Sequence, residues 1–158
     1  MPETMEELAA RLVSLGWATR KTLVGCSPEE VDEVRRVQQV ERLPSQYEQF
    51  LLTMGKRAGV FLRGSSFFYR EIVEIADEVS DFLEESNVTH LMSPGSVFVG
   101  MHQGYELYWL EPGQPSGRLN FHLEGEEVIR RSWPTLLDFL AGKVEEEKQI
   151  IEWSLRFR

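Results

Sequence analysis

Three times in its first fifty residues the chain places a Ser or Thr three positions ahead of a Glu: Thr4 and Glu7, Ser27 and Glu30, Ser45 and Glu48. In a capping box of this kind the hydroxyl accepts a hydrogen bond from the N–H of the third helical residue, and the carboxylate returns to the N–H of the cap. Each pair therefore marks a helix start. Apolar residues follow each one at helical spacing: Met5, Leu8, Leu12 and Leu15 up to a stop at Gly16, then Val31, Val34 and Val37 behind Pro28 at the first helical position, then Tyr47, Phe50, Leu51 and Met54 up to Gly55. Three amphipathic helices are predicted before any strand of substance.

The pattern changes after Gly55. Residues 55–59 read as a turn and Val60-Phe61-Leu62 as a short strand that Gly64-Ser65-Ser66 interrupts. Residues 71–85 are again helical, with Ile72, Ile75, Val79, Phe82 and Leu83 on one face. Residues 97–99 and 106–110 read as strands of a hairpin joined around Met101-His102-Gln103-Gly104. In 118–123, Leu119, Phe121 and Leu123 alternate with Asn120 and His122, which predicts a half-buried strand with His122 turned toward solvent or a partner. Ser132 is the expected cap of a helix with Pro134 in its first turn and Leu136, Leu137 and Leu140 inside. Gly142 ends or bends that helix, and a last amphipathic one over 144–155 turns Val144, Ile151 and Leu155 inward. Helices arranged around a meander of strands predict an α+β fold in which an antiparallel sheet packs against flanking helices. Neither a linker nor a repeat interrupts residues 1–158, so one domain is expected.

A hydrophobic fraction of 42% and a charged fraction of 27% suit a folded chain of this length, and the net charge of −9 is unevenly spread. Between Glu71 and Gly117 there is no Lys or Arg, while Glu71, Glu74, Asp77, Glu78, Asp81, Glu84, Glu85, Glu106 and Glu111 all fall there. Nucleic acid and anionic membranes need cations to neutralise phosphate, so neither is an expected ligand, and a basic partner is favoured. At 100° per residue Glu71, Glu74, Glu78, Asp81 and Glu85 form one stripe. Like charges four residues apart cost a helix a few tenths of a kcal/mol, so helix stability does not account for the stripe. These five, with Glu106 and Glu111, are the candidate partner-binding residues; the competing reading is a solubilising face.

Catalytic patterns are missing from the sequence. His90, His102 and His122 stand apart, in no metal-binding spacing, and no second cysteine accompanies Cys26. Cys26 precedes a helix start, which can lower a thiol's pKa, yet no base motif adjoins it and a small half-buried residue is the simpler reading. The glycines at 55, 59 and 64 make no phosphate loop. The expectation is a protein with no catalytic residue, metal or cofactor. An acidic N-terminus, the single cysteine and the lack of an apolar run of about 18 residues make the cytoplasm the expected compartment.

Leu43-Pro44-Ser45-Gln46-Tyr47-Glu48-Gln49-Phe50-Leu51 followed by Met54-Gly55 resembles the LP-x-x-Y-x-x-F-L helix and glycine turn of the SUKH superfamily (SMI/KNR-type domains). The stretch from Val97 to Tyr108 is similar to that family's strand pair with its QGY turn, here Gln103-Gly104-Tyr105, and 133–140 to its closing helix. With Gly25-Cys26-Ser27-Pro28-Glu29-Glu30 the resemblance covers about residues 25–143, leaving helices at 5–15 and 144–155 as additions. The Trp133-Pro134 start of the closing helix and the longer terminal helix depart from the pattern. The resemblance implies a curved antiparallel sheet with helices against it, no catalytic residues, and service in bacteria as an immunity protein that binds and neutralises a toxin. Some relatives act instead as regulatory scaffolds without a toxin partner. A basic, nucleic-acid-targeting toxin would suit the acidic stretch read independently above.

Overall fold

The computed structural model describes residues 3–85 and 87–156, with the backbone alone for Ser80, Ser154 and Leu155. Thr4 accepts from the Glu7 N–H at 3.1 Å and opens α1, Met5–Ser14, while the Glu7 carboxylate binds the N–H of Glu3. Ser27 and Glu30 form the full reciprocal box at the start of α2, Pro28–Val37. The third start is capped differently. In α3, Ser45–Met54, the cap position is Pro44 and no side chain closes it. The free N–H groups of Ser45 and Gln46 instead donate to the Gln114 Oε1 at 2.9 Å and the Pro115 carbonyl at 3.0 Å, both from a loop distant in sequence. The expected apolar stripe survives: Tyr47, Phe50, Leu51 and Met54 are all buried.

Short strands β1, Leu23–Val24, and β2, Arg57–Ala58, pair with each other, so part of the expected 55–59 turn is strand. Residues 60–62 form turns, and the expected interruption, Ser65–Ser66, is itself strand β3. Helix 71–85 is two pieces, α4 at Glu71–Ala76 and α5 at Val79–Glu85. No Gly or Pro stands at the break. The two pieces follow different neighbours: α4 lies on α2 and on β4, Val97–His102, whereas α5 lies against a single 3-10 turn, Thr89–Leu91.

β3 and β4 continue through β5, Glu106–Leu110, β6, Leu119–Leu123, and β7, Arg131–Trp133, into a five-stranded antiparallel sheet whose spatial order is its chain order. The β4–β5 hairpin turns on Gln103 and Gly104, both at positive φ (55° and 79°), the backbone a tight hairpin turn needs and glycine adopts at little cost. Ser132 lies in β7 and donates to the Asn120 Oδ1 at 2.7 Å; it caps no helix. The closing helix α6, Leu136–Arg156, runs unbroken through Gly142 for 21 residues. Three side chains hold the backbone N–H groups of its first turn: Ser116 Oγ takes Leu136, Gln46 Oε1 takes Leu137, and Thr135 Oγ1 takes Asp138. The same loop thus seats α3 and α6 together.

Tyr108, Phe121, Trp133 and Phe139 pack together where α6 crosses one face of the sheet, with ring centroids 4.9 to 5.2 Å apart along that chain of contacts. Phe98, Trp109, Asn120 and His122 occupy the opposite face, and none is more than 1% exposed. His122 is therefore buried and does not face solvent or a partner. Polar residues are tolerated there because they are bonded: Asn120 donates to the Glu111 carboxylate at 3.1 Å and His122 Nε2–H to the Glu126 carbonyl at 2.8 Å. Helix α3 has its main contacts with α1, α2, β1 and α6. Buried apolar residues from Met5 to Val144 make one continuous cluster. At the C-terminal end Ile151 is 41% exposed, against the expected inward orientation, and the side chain of Leu155 lies outside the described residues.

Candidate interaction surface

All seven acids of the 71–85 stretch, Glu71, Glu74, Asp77, Glu78, Asp81, Glu84 and Glu85, are exposed. Their apolar neighbours explain this: Ile72, Val79 and Leu83 are buried, which turns the charged side of α4 and α5 outward. Among the described residues one ion pair reaches these carboxylates, Arg70 to Glu74 at 3.8 Å, with both side chains largely in water. The break at 77–78 divides the expected single stripe into Glu71 and Glu74 on α4, Asp81 and Glu85 on α5, and Glu78 in the junction.

Glu106 and Glu111 do not join that surface as a unit. Five residues apart on and just beyond β5, they sit at opposite ends of the strand and on opposite faces of the sheet. Glu111 is half-buried and accepts from Asn120. Glu106 lines a cavity of about 290 Å³ between the sheet and α6, together with His102, Tyr108, Lys143, Glu146 and Glu147. There His102 Nδ1 is 2.7 Å from the Ser65 Oγ, so the histidine expected at a surface turn is instead tied across β3 and β4. Burial holds the Glu147 carboxyl above its usual range, against the opposing pull of the Leu62 N–H and of Lys143. Burial also raises the Tyr108 phenol, with Glu106 adding to the shift.

Elsewhere, α2 and α3 border a groove of about 450 Å³ with an apolar floor of Pro28, Val31, Leu43 and Leu52. His90 is exposed in the 3-10 turn, while Cys26 is buried beneath Gly55 and its thiol is pushed up to about 11 by burial and by Glu30. A thiol held that high stays protonated at neutral pH. Among the described residues, no three His, Cys, Asp or Glu side chains converge to hold a metal ion, and no helix is long and apolar enough to cross a membrane. Compared with known proteins, the chain matches no family model and no curated sequence.

Charge position along the sequence was enough to find the α4–α5 acids. The Ser65–His102 contact was beyond it, because the two residues meet only through strand register.

Proposed function

We propose that this protein is a non-enzymatic binding domain whose α4–α5 surface engages a basic partner protein, and that it serves as an immunity protein neutralising a toxin. The observation carrying this reading is the exposure of all seven carboxylates between Glu71 and Glu85, which among the described residues meet one ion pair, Arg70 to Glu74 at 3.8 Å. A surface of one sign steers an oppositely charged partner during encounter and excludes anionic ones. The family resemblance supplies the immunity role, and the acidic N-terminus with a single cysteine the cytoplasmic setting. The residues lining the sheet–α6 cavity are largely engaged with the fold itself: His102 with Ser65, Glu147 with the Leu62 N–H, and Lys143 with Glu146 at 3.5 Å. Such engagement favours a structural role for them over catalysis.

The test takes as probe a candidate toxin of basic charge, sought among the products of the reading frames that adjoin this one. Co-expression should restore growth to cells producing that protein. The Glu78→Lys/Asp81→Lys variant should associate about tenfold more slowly at low salt, with a flattened salt dependence, while its unfolding free energy stays within about 0.5 kcal/mol of wild type because both positions are exposed. Equal association rates at both salt concentrations would rule out this face. Absence of rescue and of binding would rule out the immunity role.

A further inference from the structure

Helix α6 changes character halfway along. Leu136, Leu137, Phe139, Leu140 and Val144 belong to the core, but beyond Val144 the helix leaves Ile150 63%, Ile151 41% and Trp153 64% exposed. Isolated apolar residues are ordinary on a surface; Ile150 and Trp153, three positions apart, lie on one side of the helix and make a patch, while Ile151 points away from it.

The charges flanking the patch say what fits it. Glu146, Ile150, Trp153 and Arg156 follow at spacings of four, three and three residues, so they share one side of the helix, and all four are exposed. The stripe thus runs acid, apolar, apolar, base. Turned end for end it is its own complement. The pair Glu146 and Arg156 and the pair Ile150 and Trp153 have the same midpoint, near residue 151, to within half a residue. A second α6 laid antiparallel would set Glu146, whose exposed carboxylate also has Lys143 of its own chain at 3.5 Å, against Arg156 at both ends and Ile150 against Trp153 twice in the middle. A purely basic or purely acidic helix would match one end and be repelled at the other, and an anionic membrane would meet Glu146 and Glu152.

We infer that the C-terminal half of α6 is the contact through which two copies of this chain associate, helix against helix about a two-fold axis. From Glu146 to Arg156 the stripe is only about 15 Å long, so the contact falls short of the roughly 800 Å² per partner of stable complexes and the association depends on concentration. Helix geometry also leaves the seven α4–α5 carboxylates outside the pairing stripe.

Sedimentation velocity on the full chain tests this. The weight-average mass should climb from the one-chain to the two-chain value between about 1 µM and about 1 mM. Ile150→Glu/Trp153→Glu should remain at the one-chain mass throughout. Glu146→Arg and Arg156→Glu should each raise the midpoint concentration at least about fivefold at low salt, since each sets like charges together at both ends, and the two combined in one chain should return it to within about twofold of wild type. A wild-type chain still at one-chain mass at about 1 mM overturns the inference. So does a midpoint indifferent to Ile150→Glu/Trp153→Glu, or a combined reversal no better than either single one.

Discussion

The side-chain amide of Gln38 grips the backbone of Phe98 at both ends of the residue: its Nε2 donates to the Phe98 carbonyl at 2.6 Å, and its Oε1 accepts from the Phe98 N–H at 3.0 Å. Strand β3 reaches only Met101 and His102, so at Phe98 the outer edge of β4 has no strand beside it. Gln38, at the end of α2, supplies the donor and acceptor that a neighbouring strand would have provided. Phe98 is fully buried, and Gln38→Ala would leave both of its backbone groups without a partner. The expected loss is about 1–3 kcal/mol in urea unfolding. A loss under about 0.5 kcal/mol would mean that water reaches this edge.

Two serines that look alike in sequence should respond differently to removal. Ser27 caps α2 through its hydroxyl, so Ser27→Ala should cost about 1 kcal/mol. Ser45 caps nothing and makes only a 3.5 Å contact to the Pro115 carbonyl, so Ser45→Ala should fall within about 0.5 kcal/mol of wild type. Gln114→Ala, which removes the acceptor for Ser45 N–H and the donor to the Leu43 carbonyl, should be the costlier change at that helix start. Unfolding curves of the three variants give the order directly.

Phe50 is 2% exposed and stacks on Tyr47 and Phe68, so Phe50→Ala should cost about 3–5 kcal/mol. At Gly100 the constraint is the reverse. An added Cβ would lie 2.4 Å from the Phe67 ring, which is itself wedged against Tyr108 and Phe139. Gly100→Ala should therefore cost about 1–3 kcal/mol through overpacking. A neutral result would show that the aromatic cluster can shift.

Cys26 should resist alkylation in the folded protein. Its thiol, ordinarily near 9.0, is raised to about 11 by burial and by Glu30, with Lys56 opposing. At pH 8–9 the native chain should react with iodoacetamide at least about tenfold more slowly than the denatured chain. The linkage has a definite sign. The unfolded thiol ionises first, so the stability associated with a protonated Cys26 is present below about pH 9.0 and is lost as the pH rises toward about 11. Cys26→Ala should remove that part of the alkaline destabilisation.

Local grammar carried much of this fold in the sequence. Starts for α1 and α2, the buried stripe of α3, the β4–β5 hairpin and the exposed acids of 71–85 all depend on residues a few positions apart, where hydroxyl, carboxylate and apolar spacing act within one turn or one strand pair. The α+β class followed from the order of those elements.

What spacing could not decide was which side of each element another part of the chain would cover. The Ser45–Glu48 pair had every feature of a cap, yet Gln114 took the Ser45 N–H that the Glu48 carboxylate would have served, and the helix starts one residue earlier, with the Glu48 N–H on the Pro44 carbonyl. Asn120 and His122 alternate with apolar residues as solvent-facing positions do, but both faces of β6 are covered: Asn120 and His122 Nε2 are bonded inside, and among the described residues His122 Nδ1 is buried with no partner. Helix 71–85 broke without a breaker residue because its halves pack on different neighbours, and α6 passed through Gly142 with Leu140, Ala141 and Val144 around it buried in the core. In each case a contact distant in sequence outweighed a local preference of about 1 kcal/mol or less. Spacing within the chain determined the longer helices, the strands β4 to β6 and where the negative charge gathers; tertiary packing alone decided the short strands β1, β2, β3 and β7, which polar groups are buried, which helix ends are capped from afar, and which apolar side chains of α6 remain in water.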